Sequence, residues 1–242
     1  MSPVDRVAHL NRWRFRSLTE KAVLALGMLL LDITLPPFPV AIVVAAAMTL
    51  ATLAGARAPV KVWLACAAGP TGFLLAGTLS LLLQIDASGL SLAPNGLRAA
   101  AELAARSEAG LTCLLFLALT TPTSDLMAGL RRLGLPAEIT EVALLTYRFL
   151  FLLADTAQAM NTAQAARLGH VGLRRRLSSL GILIANLLPR ALDRARRLEI
   201  GLSARGWHGE MRVLSRHDAL SPSGLAAILL LEAGTAALGV LT

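Results

Sequence analysis

The chain has 242 residues, 55% of them hydrophobic and only 16% charged, with a net charge of +8. Soluble domains carry about a quarter of charged residues, so this composition excludes an ordinary soluble domain and points to a membrane protein. The basic residues lie between apolar segments, as in cytoplasmic loops under the positive-inside rule, so no nucleic-acid partner is expected.

The opening stretch, MSPVDRVAHLNRWRFRSLTEK, is basic and precedes an apolar run that ends at Pro36-Pro37 with no convincing small-residue cleavage site. It reads as a cytoplasmic arm before a first retained helix. That first segment, roughly 20–35, is short for a bilayer core of about 30 Å, which takes about 20 helical residues. Asp32 interrupts it close to the Pro-Pro break, which places the carboxylate at the outer interface; a part in a metal path is the functional alternative. Segment two covers 40–56. Segment three, about 62–84, contains Gly69-Pro70, and a kink is expected there.

QIDASGLSLAPNG, 84–96, reads as a polar loop. After it, Arg98, Glu102, Arg106 and Glu108 recur at short helical spacings and suggest a long helix whose first half is wet. Its dense apolar part is 109–121. The region 122–218 holds 14 arginines. Within it, TTPTSDLMAGLRRLGLP, 120–136, reads as a short helix capped by Ser124 or Thr123 and stopped by Gly134 and Pro136. A long helix follows over about 137–167, apolar in its first half and small and polar in its second. A third helix, about 177–205, carries an apolar stripe through Leu177, Leu180, Ile184, Leu188, Leu192, Ala195, Leu198 and Leu202. At about 100° per residue, Arg190, Arg194 and Arg197 point the other way. Pro189 should bend this helix. The last apolar segment is 221–242.

The arm with Arg6, Arg12, Arg14, Arg16 and Lys21, the Arg57/Lys61 loop and the region 122–218 fall on one side if there are about five spans, and that side is cytoplasmic. The fold class expected is therefore all-α and polytopic. An arm and four transmembrane helices occupy 1–121, a cytoplasmic helical region 122–218, and a last span 219–242.

Chemistry-bearing motifs are sparse. Cys66 and Cys113 lie in apolar runs with no partner at ligand spacing, and His9, His170, His208 and His217 are scattered. No metal site or resident cofactor is expected in this chain. No paired acidic motif, glycine-rich phosphate loop or nucleophile–base pair is found, so no catalytic residue is expected. Glu141, Arg148, Asp155 and Thr162 recur every seventh position and line one helix face. They are read either as a polar seam that transmits motion or as an arginine that snorkels or pairs structurally. Two helices end alike, in Ala166-Arg167-Leu168-Gly169 and Ala204-Arg205-Gly206. Small residues there allow close approach, arginine offers a rigid fork of donors, and glycine suits a helix stop. An arginine meeting the helix dipole beside an ordinary glycine stop is the structural alternative. His208, which follows in Trp207-His208-Gly209, reads as a surface loop histidine.

These paired ends, with the TTP segment, LLTYRFLFLLADTAQAMNTAQAAR and RALDRARRLEIGLSARGW, resemble the transmembrane T component of energy-coupling factor (ECF) transporters, most closely its cobalt-type CbiQ branch. The resemblance is strongest over 120–210 and weak over the first hundred residues. It implies a non-catalytic coupling subunit of the bacterial inner membrane whose two cytoplasmic helices dock onto ABC ATPase subunits, which bind the ATP and Mg. It implies a substrate-binding membrane S component as a second partner and admits a small accessory membrane subunit. By this likeness Arg167 with Ala166, and Arg205 with Ala204 and Gly206, are the ATPase-docking residues. Leu168 displaces the glycine by one place, which predicts that the first helix ends one residue later. Cobalt is the implied solute, with nickel or a vitamin such as biotin as alternatives. An integral-membrane enzyme acting on a phosphorylated lipid is the rival reading from another class.

Overall fold

The computed structural model describes residues 3–86, 89–92, 95–206 and 220–241. They form helices α1 (Pro3–Leu10), α2 (Leu18–Thr34), α3 (Pro37–Leu50), α4 (Val60–Ser80), α5 (Gly96–Thr120), α6 (Thr123–Arg132), α7 (Ala137–Ala166), α8 (Leu173–Ser203) and α9 (Pro222–Leu241). A π-helical turn, Ala51–Gly55, prolongs α3. The chain divides into two compact units, one of Met1–Gly129 with Arg216–Thr242 and one of Leu130–Ser215.

Four helical stretches are long and apolar enough to cross a membrane: Pro37–Gly55, Val60–Ser80, Gly96–Thr120 and Pro222–Leu241. The chain is thus an all-α polytopic membrane protein. At 17 residues, α2 is the short one, as its sequence suggests. Ser17 starts it by accepting the Glu20 N–H on its side-chain oxygen at 3.2 Å, an N-cap that satisfies an orphan donor of the first turn. α4 runs unbroken as a helix through Pro70, and α8 through Pro189.

The core of the first unit is where α2, α3, α5 and α9 meet, around Leu24, Met28, Val40, Val44, Met48, Cys113, Phe116 and Ile228. Trp13 of the N-terminal arm stacks edge-on against Phe116, ring centroids 5.4 Å apart, and Arg16 lies over the Trp13 ring at 4.4 Å. The arm is therefore packed into the bundle base rather than left free in solvent. Leu26, Leu30 and Ile33 of α2, Phe73 and Leu75 of α4 and Leu230 of α9 are exposed. In a bundle surrounded by lipid such apolar surface carries no penalty, and close packing rather than hydrophobicity holds the helices together.

One expectation is corrected here. The stretch read as a polar loop at 84–96 contains an antiparallel hairpin, β1 (Leu83–Asp86) with β2 (Gly89–Leu92), in the register Leu83↔Leu92, Gln84↔Ser91, Ile85↔Leu90 and Asp86↔Gly89. Leu-Gln-Ile-Asp and Leu-Ser-Leu alternate apolar and polar residues with the strand period of two, a signal four residues long and easily read as loop. Asp32, near the C-terminal end of α2, is 2% exposed, inside the first unit, where Arg106 supplies an attractive field. Arg106 in turn donates from Nη2 to the Leu35 carbonyl at 2.6 Å, so the third residue of the wet patch on α5 reaches into the bundle. Its neighbour Arg98 pairs at the surface with Glu102 at 2.8 Å.

In the second unit α8 folds back along α7. Ser179 Oγ donates to the Gly169 carbonyl at 3.0 Å near the turn, and Leu152, Leu153 and Thr156 lie beside Arg190, Arg194 and Arg197. Ser179 and Leu183 are buried against α7. Of the predicted apolar stripe of α8, Leu177, Leu180, Ile184, Leu188, Leu192 and Ala195 are exposed, and Leu198 and Leu202 are half-buried.

Candidate functional site

The two helix ends can now be compared atom by atom. At the end of α7, Arg167 N donates to Gln164 O at 3.1 Å and Leu168 N to Ala165 O at 3.0 Å. At the end of α8, Arg205 N donates to Leu202 O at 3.0 Å and Gly206 N to Ser203 O at 3.1 Å. Both turns tighten to three-residue closures, which satisfy carbonyls the helix leaves free. Leu168 then takes φ +58° and Gly206 φ +72°. In each case the arginine is the residue just before the left-handed one. Leu168, not Gly169, stands where Gly206 stands. The α7 helix runs to Ala166 and the α8 helix to Ser203, so relative to its arginine α7 does extend one residue further. The arginines nonetheless share one register.

Gly169 has a different task. A Cβ there would lie 2.6 Å from Ser179 Oγ and 2.9 Å from the Gln164 carbonyl, so only glycine lets the turn close against α8. The two jobs that Gly206 suggests to a sequence reader, backbone freedom and close approach, are thus split between Leu168 and Gly169. Left-handed backbone costs a residue with a Cβ about 1–2 kcal/mol. Leu168→Gly is therefore expected to stabilise the protein by about 0.5–1 kcal/mol, after the larger entropy of glycine in the unfolded chain is subtracted. A thermal unfolding series in detergent measures it, and a destabilised variant would show that the Leu168 side chain contributes packing that outweighs the strain.

Ala166, Arg167, Ala204, Arg205 and Gly206 are all exposed. Both guanidiniums therefore stand clear at helix ends, flanked by alanines that offer no steric barrier to an approaching surface. The residues of the predicted seam lie along α7, with Glu141 half-buried and Arg148 and Asp155 exposed. Arg148 in this chain is at the surface, where a guanidinium keeps its solvation or meets a partner. Tyr147 beside it stacks edge-on with Phe151, centroids 4.9 Å apart. His208 and the rest of the 207–219 stretch lie outside the described residues.

A second constellation escapes sequence reading. Glu20 and Lys21, neighbours at the start of α2, are each 1% exposed. Lys21 Nζ donates to the Thr120 carbonyl at 3.1 Å, the last residue of α5. Asn11 Nδ2 donates to Leu119 O at 3.1 Å and Thr120 O at 3.3 Å. Glu20 Oε1 accepts the Ser221 N–H at 2.7 Å, just before α9. A cation thus sits at a helix C-terminus and an anion at a helix N-terminus, each favoured by the helix dipole. Both places, the C-terminal end of α5 and the start of α9, lie within the first unit. Around them, Arg12 N donates to Ala56 O at 3.1 Å, and Arg14 Nη1 donates to Asp125 Oδ2. Nothing in the local pattern SLTEK announces this, because the Glu20 contact joins residues 201 apart in sequence.

The family model described as cobalt transport protein, CbiQ, matches residues 10–214. The cobalt transport protein CbiQ of Rhodobacter capsulatus is 55% identical over 241 residues, covering 100% of this chain and 99% of that protein. The cobalt transport protein CbiQ of Salmonella typhimurium is 30% identical over 231 residues, 88% of this chain and 100% of that protein. A protein of Methanocorpusculum labreanum, named as a fused cobalt transport protein CbiMQ, is 24% identical over 94% of this chain, which spans 40% of its length. The likeness therefore extends well before residue 120, beyond the stretch where the sequence motifs alone are most telling.

Proposed function

The chain belongs to the CbiQ family of cobalt transport proteins, and on that premise we propose that it is the coupling T subunit of an ECF-type importer for cobalt ion. It is a transport component that works with other subunits. The observation that carries the reading is the matched pair of exposed arginines, Arg167 and Arg205, each just before a left-handed residue at a helix end. In this reading each guanidinium enters a groove of an ABC ATPase subunit, where ATP and Mg are bound. Movement of those subunits passes through α7 and α8 to the bundle, which holds a substrate-binding S component and a small accessory membrane subunit. Glu141, Arg148 and Asp155 form the polar seam on α7 along which the motion is transmitted. The domain division 1–121, 122–218 and 219–242 follows, with the middle segment as the coupling region.

In the inner membrane the N-terminus is cytoplasmic and α2 is the first of five spans. The supporting contacts are those that bring the three basic regions to one end of the bundle: Arg12 to Ala56, Asn11 to Leu119 and Arg14 to Asp125. A bundle with its positive loops at one end inserts with that end inside. Membership in a transport family displaces the lipid-modifying enzyme reading. Nickel and biotin are the solutes to compete against cobalt.

The test is affinity purification of the full chain from membranes of its native host, with mass spectrometry of what accompanies it, and cobalt uptake by the same cells. ABC ATPase and an S component in the eluate, with uptake that depends on this chain, are the expected results. An eluate without ATPase, or uptake indifferent to deletion of the chain, would overturn the proposal.

A further inference from the structure

In the first unit the N-terminal arm and the turn between α3 and α4 make one surface, and its charge is of one sign. Arg12 N donates to Ala56 O at 3.1 Å, and Val7 of α1 packs with Ala58 and Leu119. Gly55 ends one membrane-crossing stretch and Val60 begins the next, so this surface lies at a membrane face. Before residue 86 the chain has three acidic residues, Asp5, Glu20 and Asp32, and all three are buried. Arg6, Arg12, Arg16, Arg57 and Lys61 are exposed. Arg14 is neutralised by Asp125, but none of those five is in an ion pair among the described residues. Arg57 is also held outward by the fold. It takes φ +55°, a left-handed conformation that residues with a Cβ rarely adopt. Its neighbours fix it there. Ala56 and Ala58 are 0% and 5% exposed. Ala56 N donates to Ala51 O at 2.9 Å and Ala58 N to Thr52 O at 3.1 Å. Strain that the surroundings over-determine points to function, and here it presents one guanidinium between two buried alanines.

We propose that this surface binds the headgroup phosphate of an anionic phospholipid, with Arg57 and Arg12 as its principal ligands. Planar guanidiniums hold phosphate oxygens in bidentate fashion, and basic residues at a membrane surface attract anionic lipid. The apolar setting favours lipid over a soluble anion or an acidic protein. Leu10, Phe15, Val60 and Leu64 are exposed among the cations, a mixture of charge and apolar surface that suits a headgroup boundary. Trp13, under the Arg16 guanidinium, is of the residue type enriched at that boundary. A free anion makes no use of the apolar side chains, and an acidic protein surface would set them against charge. The surface lies wholly in the first unit and shares no residue with the helix ends at Arg167 and Arg205.

The experiment releases the purified full chain from nanodiscs of phosphatidylcholine doped with phosphatidylglycerol and identifies the retained lipid by native mass spectrometry. Near a membrane surface a basic residue contributes about fivefold, so Arg12 and Arg57 predict a preference for phosphatidylglycerol of at least roughly 25-fold. Arg57→Gly is expected to lower that preference about fivefold while the melting point holds or rises, because glycine accepts the left-handed conformation. Arg12→Gln/Arg57→Gly should remove the whole of the two-residue factor, and Arg57→Lys should keep part of the contact. Arg98→Gln, which breaks a surface pair with Glu102, should leave the preference unchanged. Inorganic phosphate at constant ionic strength should fail to displace the lipid. Equal retention of the two lipids by the wild-type chain overturns the proposal, and so does an unaltered preference in Arg57→Gly. A lower melting point in Arg57→Gly overturns it as well, by showing that the arginine holds the turn rather than a ligand. Displacement by inorganic phosphate would mark a simple anion site. Loss of a co-purifying protein from Arg12→Gln/Arg57→Gly membranes, with the lipid preference intact, would assign the surface to a protein partner instead.

Discussion

Arg167→Glu combined with Arg205→Glu is expected to strip the ABC ATPase from the purified complex and to abolish cobalt uptake, while the chain still inserts and elutes as a folded protein. Both side chains are exposed, so reversal costs the isolated subunit nothing through burial. The whole effect falls on the contact. An arginine fork buried in a partner's groove meets acceptor oxygens, and a carboxylate placed there faces the same oxygens without a proton to donate. Truncating one partner of a buried hydrogen-bonded charge pair costs about 2–5 kcal/mol, and juxtaposing like charges adds to that. Two such sites lower ATPase recovery by more than about a thousandfold at fixed concentration. Because both arginines occupy the same register before a left-handed residue, the two single reversals should be of comparable severity. A strong effect of Arg205→Glu beside a silent Arg167→Glu would show that Leu168 changes more than the backbone of its turn. Lysine at either position should retain part of the binding, since the charge remains but the fork is lost. Undiminished ATPase in the double variant would sink the docking reading.

Much of the fold can be read from the residues, and what cannot has identifiable causes. Long apolar segments and the 3.6-residue stripe on α8 announce themselves because they repeat. The stop of α6 is legible from Gly134, at φ +101°, and Pro136. The hairpin at 83–92 is too short to repeat. The burial of Asp32 comes with the field of Arg106, which stands 74 positions away and in the sequence is only part of a wet helix face. The arginines Arg190, Arg194 and Arg197 do lie away from the apolar stripe, as helical phase requires, but phase alone does not say that α7 would be there to complete a cleft with them. At the helix ends the sequence draws the eye to glycine, and in the Ala-Arg-Leu-Gly of the first it stands one place later than in the Ala-Arg-Gly of the second. Backbone geometry restores the match by letting Leu168 bear the strained conformation. Residue type carries preference, and a preference of about 1–2 kcal/mol is small enough for tertiary contacts at Gly169 to override.

The Glu20–Lys21 clamp gives the second large effect, and of a different kind. Lys21→Met removes the charge from the C-terminal carbonyls of α5, and Glu20→Leu removes the acceptor of the Ser221 N–H before α9. Both side chains are fully buried, so no water takes the vacated place as it would at a surface. A hydrogen bond to a charged group is worth about 1.5–3 kcal/mol. Each variant should therefore lower the unfolding temperature in detergent by about 5–10 °C, at about 2–4 °C per kcal/mol for a chain of this size. Glu20→Gln keeps an acceptor for Ser221 N and should lose less than half as much. The functional expectation separates this site from the helix ends. α7 and α8 keep their own contacts in these variants, so the ATPase should still co-purify at about half the wild-type yield or better. Cobalt uptake should nonetheless fall by more than about tenfold, because a lever whose two roots are loosened bends where it should push. Glu20→Leu/Lys21→Met with intact uptake would show the clamp to be a packing detail. Loss of the ATPase together with uptake would place its effect on the folding of the whole chain. Retained ATPase with lost uptake is the outcome that assigns Glu20 and Lys21 to coupling, through the end of α5 at Thr120 and the start of α9 at Ser221.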